Sequence, residues 1–148
     1  MKSNLLKNQI IMFIVMVIVG ILFNPMNILA YRFSDLYLSH TLIYGGLLMA
    51  SNMMWAHEIV HYLSMGHFNV VVFSIGIILS ISVSIVLLRQ QLLVHDKQWL
   101  RRMIPHHSTA LTTSHKIYNN TNNPKIKKIA KDIIDTQEQE IQIMKSML

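Results

Sequence analysis

A long stretch with almost no charge is the feature that most constrains this chain. Between Gln9 and Leu88 the only Asp, Glu, Lys or Arg residues are Arg32, Asp35 and Glu58. Charged residues make up 14% of the whole chain, well below the roughly 25% of soluble proteins. Most of these charges follow residue 88, so the sequence predicts a membrane part followed by an aqueous part.

The membrane part contains three apolar segments, at about 10–30, 38–56 and 68–88. Each approaches the ~20 residues that a helix needs to cross a bilayer. We therefore predict an integral, multi-pass membrane domain over 1–89 and a C-terminal domain over 90–148. The net charge of +6 is attributed to contact with lipid head groups, so no nucleic-acid partner is expected. The orientation in the membrane stays open, because the positive charges and an Asn119 glycosylation sequon favour opposite sides.

The residue types available limit the chemistry. The chain has no cysteine, which excludes disulfides, thiolate metal sites and cysteine nucleophiles. It has 8 histidines and 11 methionines, so any metal site would use imidazole, thioether and carboxylate groups. A set that includes thioethers favours copper, and Cu⁺ in particular.

His57-Glu58-Ile59-Val60-His61 matches the H-E-x-x-H pattern of zinc peptidases, in which Glu58 would be the general base. A catalytic zinc site needs a third protein ligand. The remaining candidates are His67, His40 or a residue of a neighbouring subunit, and none stands at a recognisable spacing. A membrane zinc peptidase is therefore a minor alternative. The same histidines are also compatible with a plain helix-packing face that ends in interfacial imidazoles.

The C-terminal domain reads as a helical hairpin. One helix is predicted from Asp96 to about Tyr118 and a second from Pro124 to Leu148, with Asn123 as N-cap of the second. Helical spacing predicts a buried stripe on each helix. The stripes are Trp99, Met103, His106/His107, Ala110 and Ser114, and Ile126, Ile129, Ile133, Gln137, Glu140/Ile141 and Met144.

Polar residues interrupt these stripes. His106 and His107 lie one turn after Met103, and Glu140 lies one turn before Met144. Buried polar groups need partners, so these residues should pair with one another or bind a metal ion. Both readings stay open on the residues alone.

Two helices of this length cannot enclose a core by themselves. Two copies of the hairpin would form a four-helix bundle, so we expect a homodimer. Dimerisation would also bring together two sets of His106, His107, Met103 and Met144, enough ligands for a site that one chain leaves incomplete.

These residues resemble the domain-of-unknown-function family 305. The resemblance rests on Asp96, Trp99, Met103-Ile104-Pro105-His106-His107 and Ala110, followed by Ile129-Ala130, Ile133-Ile134, Gln137, Glu140-Ile141 and Met144. It implies a ferritin-like helical fold and, by similarity to CopM-type proteins, copper binding. The metal-associated residues implied are Met103, His106 and His107, together with Glu140 and Met144. Longer members contain two His-His units and this chain has one, which strengthens the expectation of a dimer.

The sequence thus predicts an all-α protein: three transmembrane helices and a ferritin-like two-helix hairpin. The leading hypothesis is a membrane-anchored copper-binding protein that sequesters or handles the metal and is not an enzyme. The alternatives are a structural membrane protein without metal, and the zinc peptidase that uses His57 and His61.

Overall fold

The computed structural model describes residues 2–148, with side chains from Lys7 onward. Every regular element in this part of the chain is helical, which confirms the all-α class. The elements are α1 (Lys2–Leu22), α2 (Pro25–Ile28), a 3₁₀ turn (Phe33–Asp35), α3 (His40–Met65), α4 (Val70–Ser82) continuing as a π-helix (Val83–Arg89), α5 (Asp96–Asn120) and α6 (Pro124–Ser146).

The chain forms two compact units. The first, here called the apolar unit, comprises the chain up to Leu22 together with Thr41–Leu93. The second, here called the hairpin unit, comprises Phe23–His40 and Val94–Leu148. The segment 23–40, which the sequence placed between two membrane helices, is thus grouped with the C-terminal hairpin.

Glycines set the helix packing of the apolar unit. A Cβ atom on Gly20 of α1 would lie 2.9 Å from Cα of Gly46 of α3, and one on Gly46 would lie 2.8 Å from the carbonyl oxygen of Val17. A Cβ atom on Gly76 of α4 would lie 2.8 Å from the backbone nitrogen of Trp55. Helix α3 is therefore in close backbone contact with both α1 and α4, an arrangement that small residues permit.

Two segments of the described chain are long and apolar enough to cross a membrane, Lys7–Ile28 and Val70–Arg89. The predicted three spans are thus corrected to two. The segment predicted at 38–56 lies in α3 from His40 onward, and this helix also contains the polar residues Asn52, His57 and Glu58. Only 6% and 17% of the two apolar segments is buried within the protein.

The hairpin unit has its own core between α5 and α6. Its buried members are Leu100, Ile104, Leu111, Ile141 and Met144, with Tyr37, Met103, Ile134 and Leu148 packed against them. The predicted hairpin is present, with Asn123 capping α6 by accepting a hydrogen bond from the backbone N–H of Lys125.

The predicted buried stripes are right only in part. Ser114, Ile141 and Met144 are buried and Met103 packs against the core, but other stripe positions lie one residue away from the buried face. On α5 the buried face runs through Leu100, Ile104 and Leu111, whereas Trp99 is 51% exposed. On α6 it includes Ala130, while Ile129 is 59% exposed. One residue corresponds to about 100° of rotation on a helix, so the buried face overlaps the predicted stripe only in part.

Segment 23–40 covers one side of the hairpin through a buried polar network. Asp35 is fully buried and accepts hydrogen bonds from Nζ of Lys145 (2.5 Å) and from Oγ of Ser108 (2.6 Å). Ser108 in turn accepts a hydrogen bond from the backbone N–H of Tyr31 at 2.8 Å. The network joins segment 23–40 to both α5 and α6. The segment therefore covers part of the hairpin core that α5 and α6 alone would leave open.

Candidate metal centre

A cavity of about 340 Å³ lies between α5 and α6. Its lining residues are Trp99, Met103, His107, Glu140, Ile143 and Met144. Four of the five predicted metal-associated residues therefore line one cavity: Met103, His107, Glu140 and Met144.

Helical spacing explains why these four side chains meet. Met103 and His107 lie one turn apart on α5, and Glu140 and Met144 lie one turn apart on α6. The short turn makes the two helices antiparallel, so the two pairs face each other. Pro105 lies between the α5 residues and is buried, yet α5 continues through it.

His107 and Glu140 form the polar side of the cavity. Nδ1 of His107 lies 3.0 Å from Oε2 of Glu140, but the carboxylate lies off the direction of the ring N–H and no well-formed hydrogen bond results. The His107 side chain is 15% exposed and that of Glu140 45%. Gln137 donates a long hydrogen bond of 3.4 Å to the same carboxylate oxygen. The buried imidazole nitrogen is thus left without a well-directed partner.

His106 points elsewhere. It is exposed, it does not line the cavity, and its ring centroid lies 5.8 Å from that of His107 with the planes at 60°. Partial burial lowers the pKa of His106 below its ordinary value, and the positive charge of Arg102 and the neighbouring His107 lower it further. Adjacent positions on a helix differ by about 100°, which is why one member of the pair lines the cavity and the other does not.

The donor atoms of the cavity suit a soft ion. Among the described residues no three His, Asp or Glu side chains come together in a way that could hold a metal. The cavity offers two thioethers, one imidazole and one carboxylate. A thioether-rich set favours Cu⁺ over hard cations such as Mg²⁺ or Ca²⁺. The types of donor group present in the cavity are therefore suited to copper.

The second predicted group, His57 and His61, lies in the apolar unit on α3. Their rings are stacked with centroids 6.0 Å apart and planes at 12°. Glu58 is buried, and its Oε2 accepts a hydrogen bond of 3.0 Å from the backbone N–H of Asn69. The carboxylate is therefore engaged in holding the α3–α4 loop, and the general-base role that a zinc peptidase requires is not supported.

The sequence analysis did not single out Ile143 of the cavity or the structural role of Asp35. Trp99 and Ile143 form apolar walls of the cavity, although both are about half exposed. Asp35 anchors segment 23–40 to the hairpin. A signal for Asp35 was available, because it is one of three charged residues in the charge-poor stretch and a lone carboxylate there needs a partner.

Comparison with known proteins supports the resemblance drawn from the hairpin residues. The family model described as "Domain of unknown function (DUF305)" matches residues 87–148. The uncharacterized protein L153 of Acanthamoeba polyphaga mimivirus is 34% identical over 143 residues, covering 96% of this chain and 92% of that protein. No solved structure matches the chain. The chain belongs to the family described as "Domain of unknown function (DUF305)".

Proposed function

We propose that this protein is a membrane-anchored copper-binding protein that sequesters or hands on Cu⁺ and does not catalyse a reaction. The observation that carries the proposal is the cavity that places Met103, His107 and Met144 together. Two thioethers and one imidazole form a neutral, soft ligand set, which is the kind that Cu⁺ prefers. Oε2 of Glu140 lies 3.0 Å from Nδ1 of His107, so a small rotation of the carboxylate would let it accept a hydrogen bond from the ring and act as its positioning residue.

The membrane anchor is supported by the exposure of the two apolar segments. A core helix of a soluble protein is mostly buried, whereas Lys7–Ile28 and Val70–Arg89 are only 6% and 17% buried. Exposed apolar surface of this extent needs lipid to cover it. Helix α3 packs on both neighbours through Gly46 and Gly76, so we propose that it lies within the same membrane domain.

A homodimer is supported by the unpartnered face of α6. Ile126, Ile129 and Ile133 are exposed on one side of this helix. Their spacing of three and four residues forms a continuous apolar seam. We propose that a second copy covers this seam, since two-fold pairing of identical helices buries the same residues on both chains.

The experiment measures Cu⁺ affinity of the full-length protein, purified in detergent from alkali-washed membranes and titrated under reducing conditions against a chromogenic Cu⁺ chelator. Loss of a metal ligand should exceed the ~10–100-fold effect of losing an outer partner. We therefore expect His107→Ala to weaken binding by at least about a hundredfold, and Glu140→Gln by about tenfold.

His106→Ala is the matched control, because it removes the adjacent imidazole that does not line the cavity. It should leave Cu⁺ affinity nearly unchanged. Equal losses in His106→Ala and His107→Ala would contradict the assignment of the cavity. Absence of Cu⁺ binding in the wild-type protein would refute copper binding and favour the structural alternative. Release of the protein by the alkaline wash would refute the membrane anchor.

A further inference from the structure

The end of α3 and the loop after it bring three histidines together in the apolar unit. His57 and His61 are one helical turn apart, with their rings stacked. His67 follows the helix, and its ring centroid lies 6.2 Å from that of His61 with the planes at 46°. No part of the proposed copper site uses these residues.

The backbone around His67 is fixed by the sequence. Helix α3 ends at Met65, and the next residue, Gly66, has a φ of +71°, the left-handed conformation that favours glycine. Its N–H donates a hydrogen bond of 2.9 Å to the carbonyl oxygen of Tyr62. This turn reverses the chain, so the next residue, His67, lies beside His61.

Glu58 and Asn69 hold the other end of the same loop. The backbone N–H of Asn69 donates to the buried Glu58 carboxylate at 3.0 Å. The Asn69 side chain accepts hydrogen bonds from the N–H groups of Val71 and Val72 at 3.1 and 3.2 Å, and so caps α4. A buried carboxylate and a helix cap therefore fix the short loop that carries His67.

One imidazole of the cluster has a buried nitrogen atom without a hydrogen-bond partner. Nδ1 of His57 is buried and has no hydrogen-bond partner. An unpaired buried polar atom is costly, and a metal ion is one of the few partners that an imidazole nitrogen accepts in place of a hydrogen bond. This observation points to a ligand independently of the ring arrangement.

We propose that His57, His61 and His67 bind one divalent transition-metal ion of the Zn²⁺ class. Zinc–nitrogen bonds of about 2.0–2.1 Å place the centroids of two rings on one ion roughly 5–6 Å apart. The observed separations of 6.0 and 6.2 Å are close to that range. Since an imidazole binds a metal in the plane of its ring, the stacked rings of His57 and His61 must rotate to share one ion. The three nitrogens do not yet meet at one point in the described side chains.

The ligand set defines the class of metal and differs from that of the hairpin. Three imidazoles without a thioether or a free carboxylate suit Zn²⁺, Ni²⁺ or Cu²⁺ rather than Cu⁺, Mg²⁺ or Ca²⁺. Glu58 is a positioning residue for the loop, since its carboxylate is already engaged by Asn69. Three protein ligands would leave a fourth position for water or another group.

The test is a Zn²⁺ titration of full-length, chelator-stripped protein in detergent, read by competition with a fluorescent indicator. It is run in the His107→Ala background, so that the hairpin cavity cannot account for the result. We expect one Zn²⁺ equivalent to be lost in the variant with His57→Ala and His61→Ala, and binding to weaken by about a hundredfold in His67→Ala. His95→Ala, outside the cluster, is the matched control and should bind like its parent. Equal Zn²⁺ binding with and without His57 and His61 overturns the proposal.

A second measurement leaves the three histidines of the cluster unchanged. X-ray absorption of the Zn²⁺-loaded His107→Ala protein should show outer-shell scattering from three imidazoles. Sulfur ligands or fewer rings would overturn the proposal.

The positioning role of Glu58 is tested with two substitutions. Glu58→Gln keeps an oxygen that accepts a hydrogen bond from Asn69 and should retain the Zn²⁺ affinity. Glu58→Leu loses that acceptor and should weaken binding by about tenfold. Equal effects of the two substitutions would overturn the positioning role.

Discussion

Asp35 shows how a single residue determines the form of the hairpin unit. It is fully buried, and a buried carboxylate is tolerated only when charged and polar groups satisfy it. Lys145 supplies the charge and Ser108 a hydrogen bond. These partners lie 110 and 73 positions away in the sequence, so a local pattern contains no sign of them.

Asp35→Asn should destabilise the hairpin unit, because the ammonium group of Lys145 then remains largely buried without a counter-charge. Breaking a buried ion pair costs about 3–5 kcal/mol, and the 23% exposure of the Lys145 side chain places the expected loss near the lower limit. The measurement is denaturant unfolding of the full-length protein, read by hydrogen exchange of amides in α5 and α6.

The control for Asp35→Asn is Asp135→Asn. This residue forms an exposed pair with Lys131 at 2.7 Å on the surface of α6. Exposed pairs contribute little, so no measurable change is expected. If the two substitutions had the same effect, the buried network would not be what holds segment 23–40 in place.

At the scale of elements, the sequence predicted the positions of the two hairpin helices better than it predicted which of their faces are buried. The turn at Asn123 and Pro124 has local chemistry, and α6 begins there as predicted. The sequence does not decide which face of α6 packs against α5, because α6 carries two adjacent apolar seams. One contains Ile126, Ile129 and Ile133, and the other contains Ala130, Ile134 and Ile141. Helix α5 packs on the second seam, where Ala130 is 3% exposed.

The face of α5 can be tested with two equivalent truncations. Ile104 is fully buried in the core, whereas Ile117 on the same helix is 43% exposed. Ile104→Ala should lower the free energy of unfolding by about 2–5 kcal/mol, since it leaves a cavity in a packed core. Ile117→Ala should lower the free energy of unfolding by well under half of that amount. Comparable losses in denaturant unfolding would mean that the inner face has been placed incorrectly.

Part of the candidate metal site could also be predicted from local spacing along the helices. Spacing along each helix places Met103 near His107 and Glu140 near Met144, and the hairpin brings the pairs together. Spacing alone could not separate His106 from His107, because the distinction depends on which seam packs inward. The contact between Glu58 and Asn69 depends on a loop conformation that local sequence does not specify.

For the whole molecule, the exposed seam of α6 predicts the oligomeric state. We expect the detergent-solubilised protein to contain two chains of 17.1 kDa when its mass is measured by light scattering. Replacing Ile129 and Ile133 by Glu should give a single chain, since burying charge in the seam is costly. The control replaces Lys127 and Lys128 on the same helix by Glu and should leave the dimer intact. A dimer that survives the first pair of changes would contradict pairing through this seam.

The division of the chain has a consequence for its synthesis. Asp35 leaves the ribosome 110 residues before Lys145, the partner of its carboxylate. At about 5–20 residues per second, this interval lasts roughly 5–20 seconds. Throughout it segment 23–40 has no hairpin to cover, and Thr41–Leu93 is made in between. A nascent chain that stops before Lys145 lacks the residue that closes the buried network.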